Sequence, residues 1–248
     1  MCCFSGPVLA VSHTSIFARD GGDGRQYLAY SMHLNAATEV AMVLPLPVPA
    51  QSPEDAVSFI DLSGYPELFA DLFATMGFEA VTPVPARPAE ATAAATLAVQ
   101  QVGSFEASFV PTLADFSRLD ERFRLPAGTW EKLPAYRDFG FAVFKLKAGE
   151  QSVHPMALRF PRADATTLFF PTVHIHDGTV HEQAGFDHFL YAQMGERLGA
   201  EDWSESPGHA NGHVDIKRAA GIVAGDQHLY CRQLRGMLPN QDTLLRLA

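Results

Sequence analysis

The chain has 248 residues, of which 47% are hydrophobic, and its formal net charge is −10 at pH 7. That length allows one large domain or two small ones, with a full hydrophobic core. An acidic chain without a cluster of Lys or Arg argues against binding to nucleic acid or to an anionic membrane surface. No run of about 18 apolar residues is present to form a transmembrane helix.

The N-terminus and the cysteines predict a compartment. Residues 1–11 have neither the basic start nor the apolar stretch of a signal peptide, so we expect a cytoplasmic protein. The three cysteines are Cys2, Cys3 and Cys231. An odd number of cysteines argues against a disulfide framework, and reduced thiols are expected.

Strand signals dominate the first half of the chain. The turn residues Asp20 to Gly24 separate two apolar stretches, at 14–19 and 25–34, which predicts a hairpin. Further strands are expected at 38–44 and 57–61.

One helix is predicted at 66–76, with Ser63 as its cap and Gly77 as its end. Residues 81–96 are rich in Pro and Ala, which is typical of a mobile loop or linker. We therefore expect a single domain over residues 1–248, with two subdomains joined by this segment as the alternative.

The second half also favours strands. Gly103-Ser104 interrupts a strand pair in 97–110, and short helices are expected at 115–123 and 129–136. The further strands are 139–147, 153–160, 168–176, 221–224 and 228–231, with a strand or short helix at 186–194 and a turn at 236–240. Since strands and helices do not alternate as in βαβ units, we predict an α+β fold of mostly antiparallel β-sheets with a few short helices.

Two segments of the first 149 residues carry a recognisable pattern. One begins with Cys2-Cys3-Phe4 and continues to Ala-Met-Val-Leu-Pro-Leu-Pro-Val at 41–48; the other starts at Gln101-Val-Gly and includes Leu133-Pro. Together they resemble an uncharacterised bacterial domain family, usually exported, with an N-terminal Cys-Gly-Gly-Phe-Phe-Cys-like motif and a Leu-Pro-x-Pro segment. The resemblance implies a structurally important N-terminal cysteine. The adjacent cysteines and the missing signal peptide depart from the family, which has no established function.

Four of the ten histidines fall within fifteen residues, and they are His174, His176, His181 and His188. Successive side chains of a strand point to opposite faces, so His174 and His176 would share one face, just before the turn at Asp177-Gly178. Imidazole is the commonest protein ligand of transition metals. The cluster predicts a metal site; the plainer interpretation is a set of surface or hydrogen-bonding residues near a turn.

The N-terminal cysteines offer a second set of donors. Removal of Met1 would leave Cys2 with a free α-amine beside a thiol, and thiolate is a soft ligand that suits Cu(I) or zinc. The same amine could instead serve as the base of a Cys2 nucleophile. The remaining alternative is that Cys2 and Cys3 are small core residues.

Further histidines complete the candidate site. His181 is a third metal ligand after His174 and His176, and His154 is a reserve ligand if its strand pairs with the cluster strand. His188 is assigned a catalytic role alongside Cys2. Asp177 and Asp187 are candidate acceptors that would orient the imidazoles, and the alternative for Asp177 is the turn residue of Asp177-Gly178.

These residues favour an enzyme, a copper-dependent oxidoreductase with zinc as the alternative metal, acting on a small-molecule or peptide substrate. Copper comes first because cysteine and histidine would meet at one site. The alternatives are an N-terminal-nucleophile amidohydrolase using Cys2 and a non-catalytic copper-binding or chaperone module. No phosphate-binding loop and no Gly-x-Ser-x-Gly motif occurs. No nucleic-acid or membrane partner is expected, and the oligomeric state is left open.

Overall fold

The computed structural model describes residues 2–78, 99–103, 105–126, 128–176, 179–194 and 202–247. Within these ranges one sheet has six strands. In spatial order they are His174–Ile175 (β11), Cys2–Phe4 (β1), Val40–Leu46 (β4), Gly140–Leu146 (β8), Phe105–Val110 (β7) and Gln100–Val102 (β6).

A second sheet has seven strands, and a short two-stranded sheet accompanies it. The seven strands, in spatial order, are Ser204–His209 (β13), His228–Pro239 (β14), Gln183–Gln193 (β12), Ala10–Asp20 (β2), Arg25–Ala36 (β3), Gly149–Pro161 (β9) and Ser58–Asp61 (β5). The two-stranded sheet consists of Thr167–Phe170 (β10) and Thr243–Arg246 (β15).

The predicted α+β class is wrong, because the structure is predominantly β. Of the described residues, strands account for 49% and helices of all kinds for 12%. In the described part of the chain, the eight-residue Leu68–Thr75 (α1) is the one α-helix. The helices expected at 115–123 and 129–136 are short 3-10 turns. In the second segment, Pro134 supplies no backbone N–H to continue an α-helix.

Local patterns predicted several elements correctly. The first hairpin is confirmed as β2 and β3, with the turn made by glycines at positive φ such as Gly22 and Gly24. Helix α1 lies inside its predicted range and ends before Gly77, whose φ is +76°. Ser63 does not cap it, since the N-cap position is Glu67 and makes no side-chain cap bond.

The second half of the chain divides its strands between the two large sheets. Consecutive strands β8 and β9 do not form a hairpin, because β8 pairs with β4 and β7 whereas β9 pairs with β3 and β5. Strand β14 runs through the turn predicted at 236–240, and 221–224 is a buried connection rather than a strand. The segment at 186–194 is a strand, β12.

The core has two layers, one on each side of the seven-stranded sheet. Between the two large sheets, residues such as Ile16, Tyr30 and Phe144 are fully buried. On the opposite face, Phe17 and its neighbours pack against α1 and the 210–223 connection. Burial on both faces explains why β2 and β3 contain runs of buried residues instead of a strict alternation.

The predicted loop at 81–96 lies outside the described residues, and the expectation of a single domain stays a prediction. No helix in the described ranges is long and apolar enough to cross a membrane.

Arg19 fastens the 210–223 connection to the seven-stranded sheet. Its Nε donates to the carbonyl of Ile222 and its Nη2 to that of Gly221, both at 2.6 Å, and its guanidinium lies 4.4 Å from the ring centre of Tyr27. We expect Arg19→Met to lower the free energy of unfolding by about 2 kcal/mol in urea denaturation, because two carbonyls lose a charged donor. Arg137→Met, at an exposed arginine, is the matched control. Equal effects of the two changes would contradict this role.

Candidate functional site

The short edge strand β11 carries the first histidine of the cluster. It pairs in parallel with β1, so that Cys2 lies opposite His174 and Cys3 opposite Ile175. On its outer side, His174 N–H donates to Oδ1 of Asn240 at 2.7 Å, and Nδ2 of Asn240 donates to the His174 carbonyl at 2.9 Å. The backbone of His174 is therefore held from both sides, and its side chain is 8% exposed.

His174 meets His188, which comes from the other large sheet. Their Nε2 atoms are 2.9 Å apart, and His188, on β12, is only 1% exposed. A hydrogen bond between two ring nitrogens requires one of them to donate and the other to accept. The pair consequently shares one proton, and each Nε2 is already occupied by the other.

Asp187 decides which ring donates. Its Oδ1 lies 3.4 Å from Nδ1 of His188, and its Oδ2 accepts the backbone N–H of His13 at 2.7 Å. A carboxylate at Nδ1 favours the His188 tautomer that carries its proton there, which leaves Nε2 to accept. We therefore assign the Nε2 proton to His174. Asp187 therefore lies beside the imidazole that it was expected to orient, and that role stays a prediction.

Burial keeps both histidines neutral. It lowers the pKa of His174 to about 2, and the neighbouring His188 acts in the same direction. Burial also lowers the pKa of His188, although Asp187 opposes that shift. Near neutral pH the arrangement can hold and orient a proton between two rings, but neither ring becomes a cation readily.

Beside the pair, His176 shares a face with His174, as the alternation predicted. The two rings stack with centroids 5.0 Å apart and an interplanar angle of 19°. The His176 ring also lies 5.8 Å from that of Phe4 on β1. His176 thus belongs to the packing between β11 and the N-terminal strand.

The remaining predicted ligands lie elsewhere. His181 is exposed, and its carbonyl accepts from the same Asn240 amide that binds His174. His154 is on β9 in the seven-stranded sheet, where its ring packs 4.0 Å from that of Phe105. The expectation that its strand would neighbour the histidine strand is wrong, because β9 pairs with β3 and β5 instead.

The cysteines of the described residues are core thiols. Cys3 is fully buried and Cys231 is 4% exposed, and both are reduced, as expected. Burial raises the pKa of Cys231 to about 12, so it carries no thiolate near neutral pH. The side chain of Cys2 and the turn at Asp177-Gly178 lie outside the described residues. The Cys2 nucleophile hypothesis stays a prediction.

The structure corrects the prediction of a metal-binding, copper-dependent oxidoreductase. In the part of the chain that the structure describes, no three His, Cys, Asp or Glu side chains are grouped to hold a metal ion. The physical reason lies in the pair itself. The Nε2 atoms of His174 and His188 are hydrogen-bonded to each other, and a metal ion would need those atoms as ligands. His181 and His154 lie away from it.

Sequence reasoning missed Asn240 and Asp242, which support the site from the turn between β14 and β15. Asp242 accepts the N–H groups of Thr172 at 2.8 Å and Val173 at 3.1 Å, and it accepts the hydroxyl of Tyr136 at 2.6 Å. Burial raises the pKa of Asp242. The one signal was a polar run after Pro239, which is typical of any turn.

We expect acid to destabilise the fold through the histidine pair. Below about pH 6.5 the unfolded chain protonates His174 and His188, whereas the folded chain keeps them neutral. Their contribution is therefore complete above that pH and is lost as the pH falls, by up to about 1.4 kcal/mol per histidine and pH unit.

Urea unfolding at about pH 7.5 and about pH 5.5 measures this loss. His188→Leu should reduce the pH dependence, and His209→Gln, at an exposed histidine, should leave it unchanged. An unaltered pH dependence in His188→Leu would exclude the pair as its source.

Asp242 provides a second test of the site's support. Asp242→Ala should cost about 3 kcal/mol of unfolding free energy, because two N–H groups and a hydroxyl lose their acceptor. Asp242→Asn keeps one oxygen for the N–H groups and resembles the protonated acid, so about 1 kcal/mol is expected. Chemical denaturation of both variants measures the difference. An equal loss of stability in the two variants would contradict this role, because asparagine retains an oxygen that accepts the N–H groups of Thr172 and Val173.

Comparison with known proteins finds similarity at the level of structure. No family model matches the sequence, and neither does any curated protein. A crystal structure of a mutated baculovirus P35 after caspase cleavage superposes with a TM-score of 0.51 at 12% identity, covering 96% of this chain and 100% of that one. Intact baculovirus P35 gives 0.49 at 11% identity, covering 97% and 99%, and P35 in complex with caspase-8 gives 0.48 at 11%, covering 95% and 96%. At 12% identity, the superposition with the cleaved, mutated P35 shows the fold alone, which is β-rich and P35-like.

Proposed function

We propose that this chain is a protein-binding protein whose partner is a protease of the caspase class. The observation that carries the proposal is the fold, which matches that of a P35 cleaved by a caspase over 96% of this chain and the whole of the other. Folds host many functions, so the proposal is an analogy that needs a direct binding test.

The chemistry of the described residues is in keeping with a binding role. The buried histidines are engaged with each other and with Asp187, and Cys3 and Cys231 lie in the core. These groups stabilise strands and orient one another. A partner would bind to the surface of the protein, and the buried histidines and cysteines would stabilise the strands that carry that surface.

Binding and inhibition can be measured with the full chain and caspase-8. We expect a complex that survives gel filtration, with a Kd below about 1 μM, and slower hydrolysis of a fluorogenic peptide by the enzyme. Intact-mass spectrometry would reveal cleavage of the chain at one bond.

Two controls separate specific binding from ordinary digestion. The heat-denatured chain presents the same sequence without the fold and should be degraded to small fragments without a complex. Asp242→Asn, with the fold retained, should still bind. The proposal fails if the native chain neither co-elutes with the protease nor slows it, or if native and denatured chains are degraded alike.

A further inference from the structure

The outer edge of the six-stranded sheet is closed by side chains instead of by another strand. An edge strand normally leaves one row of N–H and C=O groups unpaired, ready to accept a strand from another molecule. On β11 the outward N–H and C=O of His174 bond to the Oδ1 and Nδ2 of Asn240. One carboxamide thus provides an acceptor and a donor where a neighbouring strand would provide a peptide group.

The asparagine is fixed by bonds of its own. Its Nδ2 also donates to the carbonyl of His181 at 3.0 Å, and its backbone N–H donates to the carbonyl of Glu182 at 2.9 Å. Two residues on, Asp242 binds the N–H groups of Thr172 and Val173. We call Asn240 and Asp242 the edge cap, since together they cover the backbone of residues 172–174.

Strand β13, at one edge of the seven-stranded sheet, is limited by its own sequence. Strand β13 contains Pro207, which has no N–H, and its pairing with β14 changes register between Glu205 and His209. The β11 edge differs because its cover comes from a separate segment of the chain and depends mainly on two side chains.

We propose that the edge cap keeps β11 from pairing with β11 of a second copy of this chain. Without the Asn240 carboxamide, the outward N–H and C=O of His174 would face a neighbour with the same pattern. Antiparallel pairing of two identical edges about a twofold axis satisfies both copies at once. The edge cap therefore prevents self-association through β11. This role is independent of the proposed binding to a protease.

The test compares Asn240→Ala with Gln241→Ala, a change in the same turn at an exposed side chain. In Asn240→Ala, at a dilution that keeps it monomeric, we expect amide hydrogen exchange of His174, within residues 172–175, to rise about tenfold, while residues 229–231 in β14 stay protected. Light scattering coupled to gel filtration should show an assembly larger than that of the wild-type chain. Gln241→Ala should match wild type in both measurements.

Three results would overturn the proposal: exchange at 172–175 equal to that of the control, faster exchange there without any larger assembly, or a larger assembly in both variants. If Asn240→Ala unfolds as a whole, exchange at 229–231 also rises, and Asn240→Asp then decides. That variant retains an oxygen for the His174 N–H but lacks the donor for its carbonyl. Intermediate exchange with partial self-association is expected; wild-type behaviour would reject the cap.

Discussion

Parallel pairing between the two ends of the chain is the constraint on which this structure depends. Strand β1 lies beside β11, and β2 lies beside β12, in both cases with the same direction. Parallel neighbours cannot be joined by a tight turn, so these contacts join segments that lie far apart in the sequence. They insert the N-terminal strand into the interior of the six-stranded sheet and bring His13 to Asp187.

The same constraint explains the chemistry of the histidines. β11 and β12 belong to different sheets, and His174 contacts His188 where the two sheets pack together. In an enclosed position two neutral rings that share a proton are more stable than two cations, because burial penalises charge. The hydrogen bond between the two Nε2 atoms satisfies that atom of each ring, which favours a structural role for the pair.

The structure identifies the contacts that stabilise the fold more directly than it identifies a binding partner. A P35-like arrangement of sheets places the buried cluster, the edge cap and the 210–223 connection, but the described side chains do not by themselves name a partner. The protease proposal therefore rests on similarity of architecture, and the edge-cap proposal rests on hydrogen bonds within this chain. The two can fail independently.

Much of the local structure was predictable from the sequence. Turn residues between apolar stretches indicated β2 and β3, and the apolar stripe of 66–76 indicated α1. Alternation along the histidine strand predicted that His174 and His176 share a face, and their stacked rings confirm it. These features depend on residues a few positions apart, and such residues leave a pattern in the sequence.

Only the tertiary structure decided the rest. The sequence by itself determined that strands would dominate and that histidines would gather near 174, but it assigned too much weight to helices and placed His154 beside the wrong strand. It gave no indication that Asn240 would replace a strand beside His174, 66 positions away. The physical reason is that hydrogen bonds between distant segments depend on how the sheets are assembled, and neither partner carries a local sign of the other.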